Sequence, residues 1–221
     1  MEMETDLEDT WIANFLGTKG NEYFCEVDPE FILDRFNLTG LNADVPNIHD
    51  AIDVVTGSSD VNMDGLNAEE EQQLDASARH LYCLVHARFI LTTRGLYKMM
   101  LKYQEGDFGR CPRALCRSHI LLPIGLQDVP NISSVKLYCP KCEDIYNPKS
   151  SRHANIDGAY FGTSFPGMFF QVYPKLLPRH SEEQFCLKIF GFKIHDHAEH
   201  CRWQQKQRDE LEKRIADKPT S

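Results

Sequence analysis

The 221 residues contain no long apolar run. Stretches such as Ile120 to Leu122 fall far below the roughly 18 residues that a membrane-crossing helix needs. The first residues are acidic and lack the basic-then-apolar order of a secretory leader, so an intracellular protein, cytoplasmic and nuclear, is expected. No self-similarity at a period of 20 to 50 residues is visible, which argues against a solenoid. Catalytic signatures are missing too. There is no G-x-S-x-G elbow and no H-E-x-x-H helix, and nothing supports hydrolase chemistry. Eight cysteines are present, but they are unevenly spread, which points to metal rather than to a disulfide framework.

Positive charge is scarce in the first third. Residues 1–78 hold 19 acids against Lys19 and Arg35, and residues 79–221 hold 14 acids against 22 bases. The net charge of −9 therefore hides an acidic front and a basic back. An acidic stretch without Lys or Arg between Arg35 and Arg79 repels nucleic acid and attracts basic peptides or polyamines, or is simply a solvated loop.

The first hundred residues read as amphipathic helices. Asp28 and Pro29 make an N-cap and first-turn pair before Phe31, Ile32, Arg35 and Phe36, and Ile48, Ala51, Ile52 and Val55 follow at helical spacing. Asn67 caps a long helix with the stripe Leu74, Ala78, Leu81, Val85 and Phe89. Gly95 then punctuates the chain before Leu96, Met99, Met100 and Tyr103. From Gly106 the pattern changes, and the runs at 120–126 and 135–139 read as strands. The turn-rich, aromatic segment 147–174 suggests partly irregular chain. The tail from Ala198 reads as a solvated helix or a disordered end.

The strongest signal is a pair of cysteine knuckles, C-x4-C at Cys111 and Cys116 and C-x2-C at Cys139 and Cys142. Two such turns present four thiolates to one tetrahedral Zn²⁺ at about 2.3 Å. A site filled by sulfur leaves no position for water, so the ion is structural. Pro112 and Pro140 stiffen the turns, and Arg110, Arg113 and Lys141 offset the excess negative charge. His119 and His153 are spare donors at best. Cys25, Cys83, Cys186 and Cys201 are scattered and read as small hydrophobes. The D-F-G tripeptide at 107–109 matches the magnesium-holding motif of protein kinases. No Gly-rich loop, V-A-I-K strand or H-R-D loop accompanies it, and Asp107 stands four residues before a zinc ligand, so coincidence is the reading.

Longer motifs now become recognisable: GNEYFCEVDPEFILDRFNLTGL (20–41), LYCLVHARFILTTRG (81–95), YQEGDFGRCPRALC (103–116), VKLYCPKCEDIYNPKSSRH (135–153), DGAYFGTSFPGMFF (157–170) and FGFKIH (190–195). In this order, over residues 11–197, they resemble the casein kinase II regulatory (beta) subunit family. The resemblance implies an α+β protein. An acidic tail (1–10) precedes an all-helical domain (11–105) with an acidic regulatory loop (56–71), a four-cysteine zinc ribbon and dimerisation module (106–147), a segment docking the catalytic subunit (148–197) and a charged tail (198–221). It implies a non-catalytic subunit that dimerises with itself or a sister chain, binds two catalytic subunits and modulates substrate choice. Phe190 and Phe192, with Met168, Lys188 and Ile189, would dock the kinase. Asp60, Asp64, Glu69, Glu70 and Glu71 would form the regulatory loop, and Thr5 is the remaining phosphorylation acceptor.

Two readings stay open on the residues. Leu121, Leu122, Ile124, Val135 and Leu137 supply either a dimer face or a local core. In QFCLKIFGFKIH the apolar residues change parity beside Gly191, which marks a tight turn that pushes Phe190 and Phe192 outward; on the residues alone a core strand is the first reading. The chain departs from the family in lacking its amino-terminal serine cluster, in a diluted acidic loop between Gly57 and Ala68, and in having HDAI at 49–52 where the family carries an arginine-containing degradation box. A zinc-ribbon nucleic-acid adaptor is the alternative class. Nucleic acid is not the expected partner, because bases and aromatics are dispersed rather than clustered.

Overall fold

The computed structural model describes residues 10–58, 67–180, 188–193 and 199–216. The chain forms two compact units, residues 1–181 and 182–221. The first mixes helix and sheet and is helical in its amino-terminal part. Helices α1 (Trp11–Gly17), α2 (Pro29–Leu33), α3 (Ile48–Thr56), α4 (Ala68–Phe89) and α5 (Thr93–Glu105) precede the strands β1 (Leu122–Ile124), β2 (Lys136–Cys139) and β3 (Asp144–Tyr146). The strands pair antiparallel in that order, with Leu122 opposite Tyr138 and Leu137 opposite Tyr146. Helices α6 (Ser151–Ala154) and α7 (Phe165–Val172) follow.

Helix α4 begins where Asn67 and Glu70 make a reciprocal capping box: the Asn67 side chain accepts from the Glu70 backbone, and the Glu70 carboxylate accepts from the Asn67 N–H at 3.0 Å. Its stripe of Leu74, Ala78, Leu81, Val85 and Phe89 is buried, as its period requires. Tyr82, Cys83 and His86, off that stripe, are buried as well. Chain from elsewhere covers them. The Tyr82 hydroxyl donates to the Cys25 carbonyl at 3.0 Å and accepts from the Val27 N–H at 3.1 Å. His86 Nε2 accepts from the Cys25 N–H, which leaves Nδ1–H to donate to the Tyr160 carbonyl at 3.1 Å. One turn of α4 thus satisfies backbone groups of two otherwise irregular segments, which would be costly to bury unpaired.

Three local expectations change. Helix α2 stops at Leu33, because the Asp34 carboxylate accepts from the Phe36 N–H and starts a separate 3-10 turn over Arg35–Leu38. Asp28 has capping geometry but no capping hydrogen bond; its carboxylate instead pairs with Lys98 at 2.8 Å and Arg94 at 3.1 Å. Gly95 does not separate two helices. The break lies at Ile90–Thr92, where the Thr92 hydroxyl caps α5, and Gly95 sits inside the first turn because a Cβ there would collide with the Phe89 carbonyl. The segment 147–174, expected to be partly irregular, contains α7, whose Phe169 ring packs on Tyr103 of α5 at 5.4 Å and whose residues also contact β1. In the second unit, strands β4 (Lys188–Ile189) and β5 (Phe192–Lys193) form a hairpin, and α8 (Glu199–Ala216) is a charged helix with mostly exposed side chains.

Burial lowers the His86 pKa to about 4, whereas an unfolded histidine titrates near 6.5. The unfolded state therefore takes up the extra proton. The stability contributed by neutral His86 is complete above pH 6.5 and is lost as the pH falls toward 4, by on the order of 3 kcal/mol. Urea titrations between pH 7.5 and 4 should show this decline, and His86→Gln, itself less stable at pH 7.5, should flatten it. The glycines give an opposed pair. Gly95→Ala should cost about 1–3 kcal/mol through overpacking, and Gly167→Ala, in α7 with open space around its Cβ position, should add about 0.4–1 kcal/mol in the same titration.

Candidate metal centre

Both knuckles are built by backbone geometry before any ion is considered. The Cys111 N–H donates to the His119 carbonyl at 2.8 Å and the Leu121 N–H to the Gly109 carbonyl at 3.1 Å, closing the first loop with a short antiparallel bridge. Inside it, a 3-10 turn carries Cys116, and Arg117 and Ser118 take left-handed φ values of 59° and 58° to reverse the chain. The second knuckle is the β2–β3 turn. Cys139 ends β2, and the Glu143 N–H donates back to the Cys139 carbonyl at 2.9 Å.

These turns bring Cys111, Cys116, Cys139 and Cys142 together, all buried and with every Sγ within 4.8 Å of the others. Cys111 and Cys142 are 3.9 Å apart and Cys116 and Cys139 3.5 Å apart at sulfur. A disulfide needs about 2.05 Å, so these are free thiols. A tetrahedron with sulfur arms of about 2.3 Å has edges of about 3.8 Å, which the observed separations bracket. The cluster has the shape and the soft donor set of a four-thiolate metal site.

Electrostatics point the same way. Burial pushes the Cys116 and Cys139 thiols up; at Cys142 burial is outweighed by hydrogen bonds from Cys116, Cys139, Cys111 and Arg113, and this thiol lies below its ordinary value. Four buried thiols in contact cannot all ionise without a cation among them. The Lys141 ammonium donates to the Cys116 carbonyl at 3.1 Å, Arg113 hydrogen-bonds Cys142, and the Tyr146 hydroxyl bonds Cys111. Arg110 turns instead to the Ser118 carbonyl. Tyr146 was not foreseen; its place on β3, four residues beyond the last cysteine, is the signal that could have found it.

The spare donors stay apart. His119 Nε2 meets the Tyr103 hydroxyl at 3.2 Å, and His153 Nε2 meets the Glu22 carboxylate at 2.6 Å. The D-F-G tripeptide is architectural: Asp107 pairs with Lys102 at 2.6 Å, Phe108 is buried edge-on to Tyr23, and Gly106 and Gly109 take φ values of 82° and 87° in the turn that leaves α5. Of the apolar residues near the cysteines, Leu121, Leu122, Val135 and Leu137 are buried in the protein's own core, which answers in favour of a local core for these four; Ile124 is half-buried.

The remaining expected residues lie elsewhere. Lys188, Ile189, Phe190 and Phe192 sit on the β4–β5 hairpin, and every residue from 188 to 193 is exposed, so the core-strand reading of this segment is wrong. Phe190 and Gly191, with φ values of 50° and 86°, form its two-residue turn, and Ile189 stands opposite Phe192. Met168 is exposed on α7 in the first unit. Glu69, Glu70 and Glu71 are not in a loop; they occupy the first turn of α4, where acids complement the helix dipole. Thr5, Asp60, Asp64 and Cys186 lie outside the described residues.

A helical amino-terminal part leading into a closed cluster of four sulfurs has the donor set of a site that would fasten the fold rather than react. The chain belongs to the casein kinase II regulatory subunit family, whose pattern matches residues 10–193. It is a family of regulatory subunits, not catalytic ones. Similar proteins include casein kinase II subunit beta-2 of Neurospora crassa, 56% identical over 214 residues that cover 97% of this chain and 74% of that protein. Casein kinase II subunit beta of Schizosaccharomyces pombe is 53% identical, with 97% and 91% covered. Casein kinase II subunit beta' of Saccharomyces cerevisiae is 51% identical, with 95% and 82% covered.

Cobalt reconstitution checks the centre. One Co²⁺ per chain should give the thiolate charge-transfer and tetrahedral ligand-field bands, Cys139→Ser should remove them, and chelation should unfold the region around residues 106–147, since such sites bind with about 10–16 kcal/mol in small zinc peptides. Full alkylation of the four thiols in a protein that keeps its folded circular dichroism would rule the centre out.

Proposed function

We infer that this chain is a non-catalytic regulatory subunit of the casein kinase II holoenzyme. A structural Zn²⁺ on Cys111, Cys116, Cys139 and Cys142 completes a zinc ribbon through which the chain dimerises with itself or with a sister subunit. Each chain then docks one catalytic subunit, stabilises it and modulates its substrate selection, in a cytoplasmic and nuclear complex. Family membership supports the regulatory role. The acidic first 78 residues support the selection of basic protein substrates or polyamines.

The observation that carries the docking proposal is the hairpin. Phe190 is 97% exposed, Phe192 79% and Ile189 56%, on strands of two residues each. Aromatics gathered on a rigid turn and flanked by Lys188 and Lys193 are the composition of a binding hot spot, with an apolar centre and a charged rim. Met168 adds an adaptable apolar contact on the first unit.

Calorimetric titration of the metal-loaded protein into a casein kinase II catalytic subunit tests this. One site per regulatory chain is expected, and the double variant Phe190→Ala, Phe192→Ala should weaken binding by more than about 30-fold, the loss of a hot spot worth about 2 kcal/mol or more. Absence of binding, or a variant that binds like the wild type, would overturn the docking assignment.

A further inference from the structure

Beside the metal centre a groove of about 240 Å³ opens between the amino-terminal segment, the 107–112 turn and the chain that follows β3. Its floor is apolar, made by Tyr23, Phe108, Leu121 and Leu137, all buried in the first unit's core. Its rim is cationic. Asp107 faces the groove but is neutralised by Lys102 at 2.6 Å, and Glu22 nearby is taken by His153 at 2.6 Å. Arg110 donates only to a neutral carbonyl, at Ser118. The Lys149 side chain is exposed and makes no hydrogen bond or ion pair among the described residues, and the same holds for the side chain of Arg152, which lies three positions on, outside the lining itself, with its Cβ against Gly20. The acids are spoken for and the bases are not. This is the reverse of the charge carried by residues 1–78.

We propose that this groove docks an acidic segment of another protein, with one large apolar side chain seated on Tyr23, Phe108, Leu121 and Leu137 and carboxylates on either side of it paired with Arg110, Lys149 and Arg152. The volume suits one side chain, being below the roughly 300–1,000 Å³ of sites for drug-sized molecules. A peptide fits better than a nucleic acid. The Tyr23 ring is already covered by His153 at 4.1 Å and by the edge of Phe108 at 5.7 Å, so Tyr23 offers no open face for base stacking, and Tyr146 is the one half-exposed tyrosine in the lining. Nor does the surface duplicate the regulatory-subunit reading, on which it does not rest: the hairpin is a protruding apolar knob, and this is a basic recess for ligands of the opposite charge to those the acidic front attracts.

The test uses the full, metal-loaded chain and a fluorescein-labelled peptide, Glu-Glu-Asp-Phe-Glu-Glu-Glu, read by anisotropy. Saturable binding that weakens with salt is expected, at least tenfold weaker for the peptide with Ala in place of Phe. Lys149→Glu, Arg152→Glu should reduce affinity at least tenfold. Ser150→Phe, which fills the groove from a helix-start position whose side chain makes no capping bond, should abolish binding. Unchanged thermal midpoints would show that both variants fold. Equal binding of the Phe and Ala peptides, or of wild type and variants, would reduce the effect to surface charge and overturn the proposal. Binding seen only after removal of residues 1–9 would overturn it in favour of the chain's own acidic amino-terminal segment as occupant. Stronger binding of a single-stranded oligonucleotide at the same residues would overturn it in favour of nucleic acid.

Discussion

Four sulfurs within 4.8 Å of one another in a buried site form the constraint on which the sheet region depends. As thiols they are weak hydrogen-bonding partners; as thiolates they repel one another unless a cation stands between them. The strands around them have three or four residues each, too few to be stable by their own ladder hydrogen bonds. A cation bound there would reverse the sign of this interaction and fasten the 111–116 turn to the 139–142 turn. Beside these turns β1 packs against α7, and Leu122, Leu137, Phe165 and Phe169 belong to one buried core. That arrangement explains why Leu121, Leu122, Val135 and Leu137 are buried within the chain.

The helical part solves a different problem, the burial of irregular chain. Residues 20–27, without helix or strand, and 157–161, with a single 3-10 turn over Gly158–Tyr160, cover α4, and each brings backbone polar groups into the interior. Tyr82 and His86 meet them, and His80 adds a bond to the Tyr160 hydroxyl at 3.0 Å. The consequences are chemical as well as structural. The same burial that makes His86 a neutral acceptor pushes the Cys25 thiol up to about 12, so this cysteine is inert packing, whereas the four clustered ones have the arrangement of a metal-binding set. Because Phe24 packs on Phe161 at 5.3 Å, the amino-terminal segment and the chain beyond the sheet share one core.

What was legible in the sequence follows from range. The capped start of α4, its buried stripe and the two knuckles are set by residues a few positions apart, and all of them read correctly. The errors fall where contacts outside the local pattern decide, most of them distant in the chain. Asp28 looks like a cap until Lys98 and Arg94, some 70 residues away, claim its carboxylate. Gly95 looks like a break until the approach of the Phe89 carbonyl shows why glycine is needed inside a helix. Tyr82 and His86 fit neither the stripe nor the surface because their partners lie more than 50 positions away. The groove belongs to this class as well, since Tyr23, Phe108 and Lys149 share no local pattern.

Phe190 shows where local and tertiary logic both fail and only function remains. A two-residue turn with positive φ at both positions favours Asn-Gly, because a bulky side chain in the left-handed region costs roughly 1–2 kcal/mol. Here the first position is phenylalanine, and its ring is almost wholly exposed, so no packing within the described hairpin recovers that cost. A folding-driven choice would put Asn at 190 and leave the aromatic out. Strain and exposure at one residue are recovered together only if another surface covers the ring. A turn that kept this shape in a complex would also lose little further entropy when that happens. Packing within the described residues therefore does not explain the exposed ring at Phe190, and the docking proposed for the hairpin would.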